Sequence, residues 1–355
     1  MKVMLTGGGT LGPVTPLLAV VEAWRRRDQD TEFTWVGTPH GPERAVVEQQ
    51  GLKFHPLFAP KLDRYAPLRW VLIPFQLGFS FYRAWQLLKH EQPDVLVTAG
   101  GYVSVPLLWA GKLMGIPSWV HQQDVRPGLA NVLMAKVATK ISCAWSTSAK
   151  KFPRKKTIHL GNPVRSSVFG GSRDAALAQY GFDGDRPTVL ALGGGTGSLW
   201  LNQAIASIAP NLAARANILH ITGKGKAVDL PELKGHFATE LIVDGMADAY
   251  AMADLIVCRA GMGTISELSL LHKPAIVVPI PDSHQEDNTS VLAELDAAVI
   301  LHQKETTPQV LLETINHLLD HPDEAHKLGA RLHTALPTEG VAEKLVEHIR
   351  GLIKQ

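Results

Sequence analysis

In the stretch 4-MLTGGGTLGPVTP-16, a strand-like apolar run passes through glycines into a helical apolar pattern. A near copy, 190-LALGGGTGSLWLN-202, occurs about half a chain later. A glycine turn between a strand and a helix is typical of the first unit of a Rossmann-like domain. Two such turns therefore predict two Rossmann-like halves.

Strand-like runs alternate with helical patterns throughout, as in parallel sheets covered by helices on both faces, so the fold class is α/β. The predicted strands cover 2–6, 32–37, 94–98, 117–120, 188–192, 217–221, 254–258 and 274–278. A helix is predicted within 14–27, and an amphipathic one over about 339–352. Gly, Pro and Ser accumulate in 161-GNPVRSSVFGGSRD-174, which marks the boundary between the halves.

Bulk composition excludes several classes of protein. At 355 residues the chain is long for one core, and 45% hydrophobic residues describe a well-buried globular protein. A formal net charge of +2 is too small to indicate a nucleic-acid partner. Cys143 and Cys258 lie far apart with no CxxC pair, which argues against a disulfide framework or zinc site and favours a reducing compartment. The first apolar run is too short for a signal peptide, so a cytoplasmic protein is expected.

The stretch 70-WVLIPFQLGFSFYRAWQLL-88 has the most membrane-like composition. Its uncharged part, 70–82, falls short of the roughly 20 residues that a spanning helix needs. Basic residues flank it at Lys61, Arg64, Arg69, Arg83 and Lys89. Two interpretations stay open: a helix that lies in a membrane interface, and a helix buried between the sheet and its neighbours.

Both glycine loops can present backbone amides and a helix N-terminus to an anion such as phosphate. Gly7, Gly9 and Gly12 also satisfy GxGxxG, so a dinucleotide dehydrogenase must be considered. That function needs an acidic residue at the end of the second strand, which here ends in Val36-Gly37-Thr38. The pattern alone is weak support for NAD binding.

The second half contains a more specific set of residues. A strand enters the glycine turn 259-RAGMGTISEL-268, in which Glu267 can accept both hydroxyls of a ribose while the helix N-terminus faces a diphosphate. The polar cluster 284-HQEDN-288 follows the next strand, at the sheet edge where ligands bind in open α/β folds. Together they favour a nucleotide-sugar site.

At these residues the chain resembles the MurG family of glycosyltransferases. The matching motifs occur in order along the chain: GGGTLGPVTP (7–16), GGYVS (100–104), HQQD (121–124), GNPVR (161–165), GGGTGS (193–198), GKG (223–225), CRAGMGTISEL (258–268) and HQEDN (284–288). The resemblance implies a GT-B fold, in which the parallel sheets of two Rossmann-like domains face each other across a cleft. It implies an acceptor- and membrane-associating domain at 1–162, a donor domain at 163–336 and a helix at 337–355 that packs back on the first domain.

The resemblance also implies an activity and a donor site. The family transfers N-acetylglucosamine from UDP-GlcNAc to the undecaprenyl-linked lipid I and forms lipid II. Glu267 would hold the ribose, the backbone at Val243 the uracil, and His284 with Gln285 the sugar hydroxyls. The donor-binding residues so implied are Arg165, Gly194, Gly195, Thr196, Gly197, Ser198, Val243, Arg259, Gly261, Met262, Glu267, His284, Gln285 and Asn288.

The acceptor side departs from the family pattern. The implied acceptor-binding residues are Gly9, Thr10, Leu11, Gly12, Gly101, Tyr102 and Asp124. The family's first loop reads GGTGGH, whereas Leu11, Gly12 and Pro13 stand here, and proline can neither take a proton nor donate one. The family's HEQN reads HQQD, and Gly195 replaces a common serine. We expect another group to act as general base: Asp124 first, His121 second.

The resemblance implies no essential metal, since helix N-termini and basic side chains stabilise the leaving diphosphate. It implies UDP-GlcNAc, a polyprenyl-diphosphate acceptor, the cytoplasmic face of the membrane and cell-wall synthesis proteins as partners. It also favours the interpretation of 70–88 as a helix that lies in a membrane interface, because the family docks on the inner membrane surface. Two alternatives stay open: a transferase of the same fold with another acceptor, and a catalytically weak UDP-sugar-binding or scaffold protein.

Overall fold

The computed structural model describes residues 1–61, 72–229, 232–242 and 244–353. The chain divides into two compact units. Unit 1 comprises Met1–Arg165 together with Glu339–Gln355, and unit 2 comprises Ser166–Thr338.

Each unit is built on one parallel sheet. The strands of unit 1 are β1 Lys2–Thr6, β2 Glu32–Gly37, β3 Lys53–Pro56, β4 Val95–Thr98, β5 Ser118–Gln122, β6 Lys140–Cys143 and β7 Thr157–His159. Those of unit 2 are β8 Thr188–Leu192, β9 Asn217–Ile221, β10 His236–Thr239, β11 Leu255–Cys258, β12 Ala275–Val277 and β13 Val299–Ile300. The orders are β3-β2-β1-β4-β5-β6-β7 and β10-β9-β8-β11-β12-β13.

Helices connect the strands in both units. They are α1 Val14–Arg27, α2 Glu43–Gln49, α3 Ile73–Glu91, α4 Ser104–Leu113, α5 Leu129–Val137, α6 Ser146–Ala149, α7 Arg173–Tyr180, α8 Leu199–Leu212, α9 Met246–Met252, α10 Met262–Leu270, α11 His284–Glu294, α12 Pro308–Asp320, α13 Pro322–Ala335 and α14 Val341–Ile353. Short 3₁₀ helices cover Arg154–Lys156 and Ser166–Val168.

The two sheets share one topology, which positions the two glycine loops. In each sheet the first strand lies in the middle, and the chain returns past it after the third strand. The direction of winding therefore reverses beside β1 and beside β8, and ligands of open α/β folds bind at the carboxyl ends of the strands at such a point. The predicted α/β class with two Rossmann-like domains is confirmed.

The C-terminal helix α14 belongs to unit 1 and packs on α1. Leu345 and Ile349 join the same buried core as Trp24. Ion pairs link α14 to the C-terminal end of α1, from Arg26 to Glu343 at 2.7 Å and from Arg350 to the C-cap residue Asp28 at 3.2 Å.

Helix α3 carries most of the predicted membrane-like stretch, of which residues 70 and 71 lie outside the described residues. It buries only Ser80, Ala84 and Leu88, whereas Phe75 is 77% exposed and Phe79 and Tyr82 are also exposed. No helix within the described ranges is long and apolar enough to cross a bilayer.

Candidate functional site

The second glycine loop, residues 193–198, joins β8 to α8 and ends in a helix cap. The Ser198 Oγ accepts the Leu201 amide at 3.3 Å, so α8 begins directly after the loop. Within the loop Gly197 donates to the Gly194 carbonyl at 3.0 Å, and both residues have positive φ. A helix that begins at such a turn directs its amides and its positive end toward an anion.

The second loop lies tightly against the chain that follows β9. A Cβ atom on Gly197 would lie 2.3 Å from the Thr222 carbonyl oxygen, and one on Gly223 would lie 2.4 Å from the Gly197 Cα. The Lys226 Nζ donates to the Gly197 carbonyl at 3.0 Å. The loop therefore requires glycine at 197 and has a cation in direct contact.

A neutral histidine–asparagine pair fixes the same region. The Asn202 side chain on α8 donates to the carbonyls of Thr222 and Lys226, at 2.9 and 2.8 Å. Its Oδ1 lies 3.1 Å from the His220 Nε2, which therefore donates. Burial, and secondarily the charge of His236, lowers the pKa of His220 to about 4. The pair ties α8 to the 222–226 segment.

Arg259, which follows β11, is buried and bonded on every side by protein. Its Nε donates to the Ser198 Oγ at 2.9 Å, and one terminal nitrogen donates to the carbonyls of Val278 and Pro279, each at 3.1 Å. The other terminal nitrogen donates to the Gln303 Oε1 at 2.7 Å. Burial lowers the pKa of Arg259 to about 10, so the guanidinium keeps its charge at neutral pH. This geometry supports positioning of the second loop by Arg259.

Glu267 lies on α10, the helix that starts at Met262 after the N-cap residue Gly261. Its Oε2 accepts the Tyr250 hydroxyl at 2.6 Å. The side chain is half-buried, and one of its carboxylate oxygens is held in place by this hydrogen bond. Such an anchored carboxylate is suited to accept the hydroxyls of a sugar diol.

The polar cluster at the start of α11 divides into an exposed residue and buried ones. His284 is exposed, whereas Gln285 and Asn288 are buried. The Gln285 Oε1 accepts the Ile280 amide at 3.1 Å, and the Asn288 Nδ2 donates to the Ala260 carbonyl at 3.1 Å. Asn288 therefore also holds the glycine turn that precedes α10.

The first glycine loop, residues 7–12, is held by side chains from other elements of unit 1. The Trp35 Nε1 donates to the Gly7 carbonyl at 3.0 Å. The Gln123 Nε2 donates to the Gly12 carbonyl at 3.1 Å. Both contacts fix the backbone of the loop from its carbonyl side.

A buried carboxylate holds the amide side of this loop. Glu43, the first residue of α2, is fully buried and accepts the Gly9 amide at 3.2 Å. It also accepts the backbone amide of Thr38 at 2.7 Å and the hydroxyl of Thr38 at 2.5 Å. A dinucleotide site needs an acid at the end of β2 that faces the ligand. The acid that follows β2 here, Glu43, is buried in the protein instead.

The loop after β4 packs directly on the first glycine loop. A Cβ atom on Gly101 would lie 2.9 Å from the Gly8 nitrogen, and one on Gly9 would lie 2.8 Å from the Tyr102 Cε1. The structure therefore brings Gly9, Gly101 and Tyr102 together, as predicted for one site. Thr10 and Gly12 are exposed and Leu11 packs partly on the core.

His121, at the end of β5, is fully buried and engaged at both ring nitrogens. Its Nδ1 lies 2.9 Å from the Ser142 Oγ and its Nε2 lies 2.7 Å from the Asn162 Oδ1. Because the Trp119 Nε1 donates to the Ser142 Oγ at 2.8 Å, we assign the hydroxyl proton to His121 Nδ1 and the ring proton to Nε2. Burial lowers the pKa of His121 to about 4. This neutral ring holds Asn162 of the GNPVR motif.

Asp124 lies on a backbone segment that is strongly fixed. Its carbonyl accepts the Gln122 Nε2 at 2.7 Å and the Ser148 Oγ at 3.0 Å. The next carbonyl, at Val125, accepts from Ser148 and from the Lys151 Nζ, each at 3.1 Å. The Asp124 side chain is half-buried.

The predicted roles of two donor residues are not tested by the contacts that the structure shows. Val243 lies outside the described residues. Arg165 is the last residue of the first segment of unit 1, and its buried Nε has no hydrogen-bond partner among the described residues. Their predicted roles stay predictions.

Several residues that support the site lie outside the motifs that the sequence shows. Glu43 bonds the first loop directly, Tyr250 bonds Glu267 and Gln303 bonds Arg259, each across a long separation in sequence. Asn202 ends the quoted stretch 190–202, so one signal was available.

Comparisons with known proteins match both units of the chain to one family. Models of the glycosyltransferase family 28 N-terminal and C-terminal domains match residues 3–143 and 188–337. A transferase of Lachnoclostridium phytofermentans, named UDP-N-acetylglucosamine–N-acetylmuramyl-(pentapeptide) pyrophosphoryl-undecaprenol N-acetylglucosamine transferase, is 32% identical over 90% of this chain and 91% of its own. A Bacillus anthracis protein of the same name, numbered 2, is 30% identical over 98% and 99%. The chain belongs to the MurG family.

A solved structure of MurG from Acinetobacter baumannii extends the match to the fold. It has a TM-score of 0.76 and 26% identity, and the comparison covers 99% of both chains. The MurG family and the GT-B fold class expected from the sequence motifs are thereby confirmed.

The departure from the MurG pattern at residue 122 has a physical basis. Gln122 is buried, donates to the Asp124 carbonyl and accepts the Asn131 Nδ2 at 2.6 Å. A glutamate, the residue of the family's HEQN, could accept from Asn131 in its ionised form but could not donate to Asp124. The amide therefore serves the local hydrogen bonding of this chain.

Proposed function

We propose that this chain is an inverting glycosyltransferase that moves N-acetylglucosamine from UDP-GlcNAc to undecaprenyl-pyrophosphoryl-MurNAc-pentapeptide, lipid I, and so forms lipid II in peptidoglycan synthesis. One observation carries the proposal. In a member of the MurG family, unit 2 places a glycine turn, Lys226, Arg259 and the anchored Glu267 after strands of one parallel sheet.

In the reaction, an acceptor hydroxyl oxygen bonds to the anomeric carbon while the bond from that carbon to the diphosphate breaks. The hydroxyl proton passes to a base, and UDP leaves with the electron pair. The N-terminus of α8 and the nearby cations favour the charge that develops on the diphosphate. Glu267 accepts the ribose hydroxyls, and His284, Gln285 and Asn288 form the sugar side of the proposed site.

Asp124 is the base that the geometry of unit 1 favours over His121. His121 uses both ring nitrogens inside the protein, whereas Asp124 is half-buried on a fixed backbone. A positioned base contributes about 10²–10⁴ to a rate, so we expect Asp124→Asn to lower kcat by about 100-fold or more. Asp30→Asn, an exposed change in the same unit, is the control. Near-normal turnover of Asp124→Asn would remove it as the base.

We further propose that unit 1 binds peripherally to a membrane at the cytoplasmic face. Helix α3 exposes Phe75, Phe79 and Tyr82, and α4, which packs beside it, exposes Trp109 and Leu113. Aromatic and apolar side chains with flanking lysines are typical of helices that lie in an interface.

Vesicle sedimentation tests the membrane proposal. Phe75→Ser with Phe79→Ser should lower the bound fraction on anionic vesicles severalfold, because apolar area would be lost from the interface. The matched control is Phe237→Ser, an exposed aromatic in unit 2. Equal binding of both variants would argue against α3 as the contact.

Product analysis tests the activity itself. The purified chain is incubated with a lipid I analogue and a panel of UDP-sugars. We expect transfer from UDP-GlcNAc to dominate. Transfer to another acceptor would favour the alternative of a different acceptor, which the changed acceptor motifs make worth testing. Tight donor binding without turnover would favour a sugar-nucleotide-binding protein.

A further inference from the structure

Glu43 is a buried carboxylate with an unusual set of partners. It is fully buried, and its three described hydrogen bonds come from the amide of Gly9 and from the amide and hydroxyl of Thr38. Among the residues that the structure describes, no cation forms an ion pair with it. A buried charge is costly unless donors surround it, so these contacts account for its position.

The backbone packs closely around the side chain of Glu43. A Cβ atom on Gly8 would lie 2.1 Å from its Oε1, and one on Gly41 would meet its Oε2. One on Gly37 would lie 3.2 Å from its Cγ. Three glycines thus line the space that this side chain fills beneath the first loop.

Glu43 acts electrostatically on Tyr102, a residue of the predicted acceptor site. The pKa of Tyr102 is raised, first by burial and second by the charge of Glu43. Gly9, which donates to Glu43, also packs on the Tyr102 ring. A glycine loop usually offers such an amide to a ligand phosphate, but here a protein carboxylate accepts it.

We propose that Glu43 is the internal anion of the first glycine loop: it positions Gly9 and Tyr102 for the acceptor and excludes phosphate from Gly8–Gly9. This loop then faces an uncharged, hydroxyl-bearing part of the acceptor, and the acceptor diphosphate binds elsewhere. The inference rests on the proposed transferase function only for the identity of the acceptor. Glu43 acts through Gly9, so it is a positioning residue.

Steady-state kinetics of Glu43→Gln test the positioning. Glutamine can accept through one side-chain atom only, so its NH2 group would face the donor of either Gly9 or Thr38. We expect kcat/KM for a lipid I analogue to fall at least tenfold, while KM for UDP-GlcNAc stays within twofold. The control is Glu48→Gln, the same change at an exposed position of the same helix, which should alter neither value. The proposal would be overturned if kcat/KM fell equally for UDP-GlcNAc and for the lipid I analogue, or if kcat/KM for the analogue did not change.

A second variant tests the anion position without any substrate. Glu43→Ala opens a space of carboxylate size, so 100 mM formate should raise its unfolding temperature by several degrees and leave the wild type unchanged. No effect of formate on a folded Glu43→Ala protein would overturn the anion position. This outcome does not depend on the acceptor, so a failure of the proposed transferase activity would remain distinguishable.

The exclusion of phosphate is tested by inhibition. At saturating UDP-GlcNAc, pyrophosphate should compete with the acceptor at least fivefold more strongly in Glu43→Ala than in the wild type. Equal inhibition constants would overturn the exclusion.

Discussion

The two glycine loops follow equivalent strands of two sheets with the same topology, yet side chains of opposite charge hold them. The first loop is bonded to the carboxylate of Glu43, whereas the second is bonded to Lys226 and, through Ser198, to Arg259. A loop in contact with cations suits a diphosphate, and a loop in contact with an anion repels one. A shared loop motif therefore specifies backbone shape, while the surrounding side chains determine the ligand.

The largest effect is expected from Gly197→Ala. Its Cβ would overlap the Thr222 carbonyl at positive φ, so we expect unit 2 to lose about 3 kcal/mol or more of unfolding free energy and its donor affinity. Gly194→Ala is the matched control, since it has a similar φ but open space, and should cost only about 1 kcal/mol. Urea unfolding of both variants checks this. Equal costs would mean that the loop does not need the close approach.

Arg259→Lys should rank next. Lysine cannot reproduce bonds to Ser198, two carbonyls and Gln303, so we expect a loss on the order of 3 kcal/mol in stability and about tenfold in donor affinity. Unfolding and calorimetric titration with UDP measure the two effects. Gln303→Ala removes one of these bonds and should show a smaller loss. A stable Arg259→Lys protein with normal UDP affinity would contradict the positioning role.

Acidification should destabilise both units to a similar extent. His121 in unit 1 and His220 in unit 2 each have a pKa of about 4, below their ordinary value of 6.5. The unfolded chain therefore binds protons at a higher pH than the folded one, so stability is full above pH 6.5 and falls toward pH 4. Each histidine should cost about 2 kcal/mol by pH 5.

Urea unfolding at pH 7.5 and pH 5, followed with one probe in each unit, measures this loss. His121→Asn and His220→Asn should each flatten the pH dependence of their own unit. A pH dependence that survives both substitutions would assign it to other groups.

The smallest effect is expected from Tyr250→Phe. It removes one hydroxyl at 2.6 Å from Glu267 and leaves the carboxylate, so UDP-GlcNAc affinity should fall about fivefold, or roughly 1 kcal/mol. The same titration on Tyr180→Phe, which changes a tyrosine elsewhere in unit 2, is the control. A loss as large as that of removing Glu267 would mean that Tyr250 itself contacts the donor.

The sequence predicted the centres of both sheets better than their edges. The predicted strands 2–6, 32–37, 188–192 and 217–221 agree with β1, β2, β8 and β9, in which most residues are buried. The missed strands β3, β7, β10 and β13 lie at sheet edges and β6 lies next to one. Edge strands such as HFAT at 236–239 are short and half-exposed, so they lack that pattern.

The candidate site could be predicted in the same partial way. Glycine loops can be predicted from local sequence, because a turn needs glycine at fixed spacing. Glu43 is 34 positions from Gly9, and Arg259 is 61 positions from Ser198. Only tertiary packing brings such partners together, and they carry the charge that distinguishes the two loops.

Calorimetric titration of UDP-GlcNAc into the wild type, Glu267→Ala and the exposed control Glu294→Ala measures whether Glu267 binds the donor. Two charge-assisted hydrogen bonds to a ribose diol would be lost, so we predict about 100-fold weaker binding by Glu267→Ala and unchanged binding by Glu294→Ala. An affinity of Glu267→Ala within twofold of the wild type would show that this carboxylate does not hold the ribose.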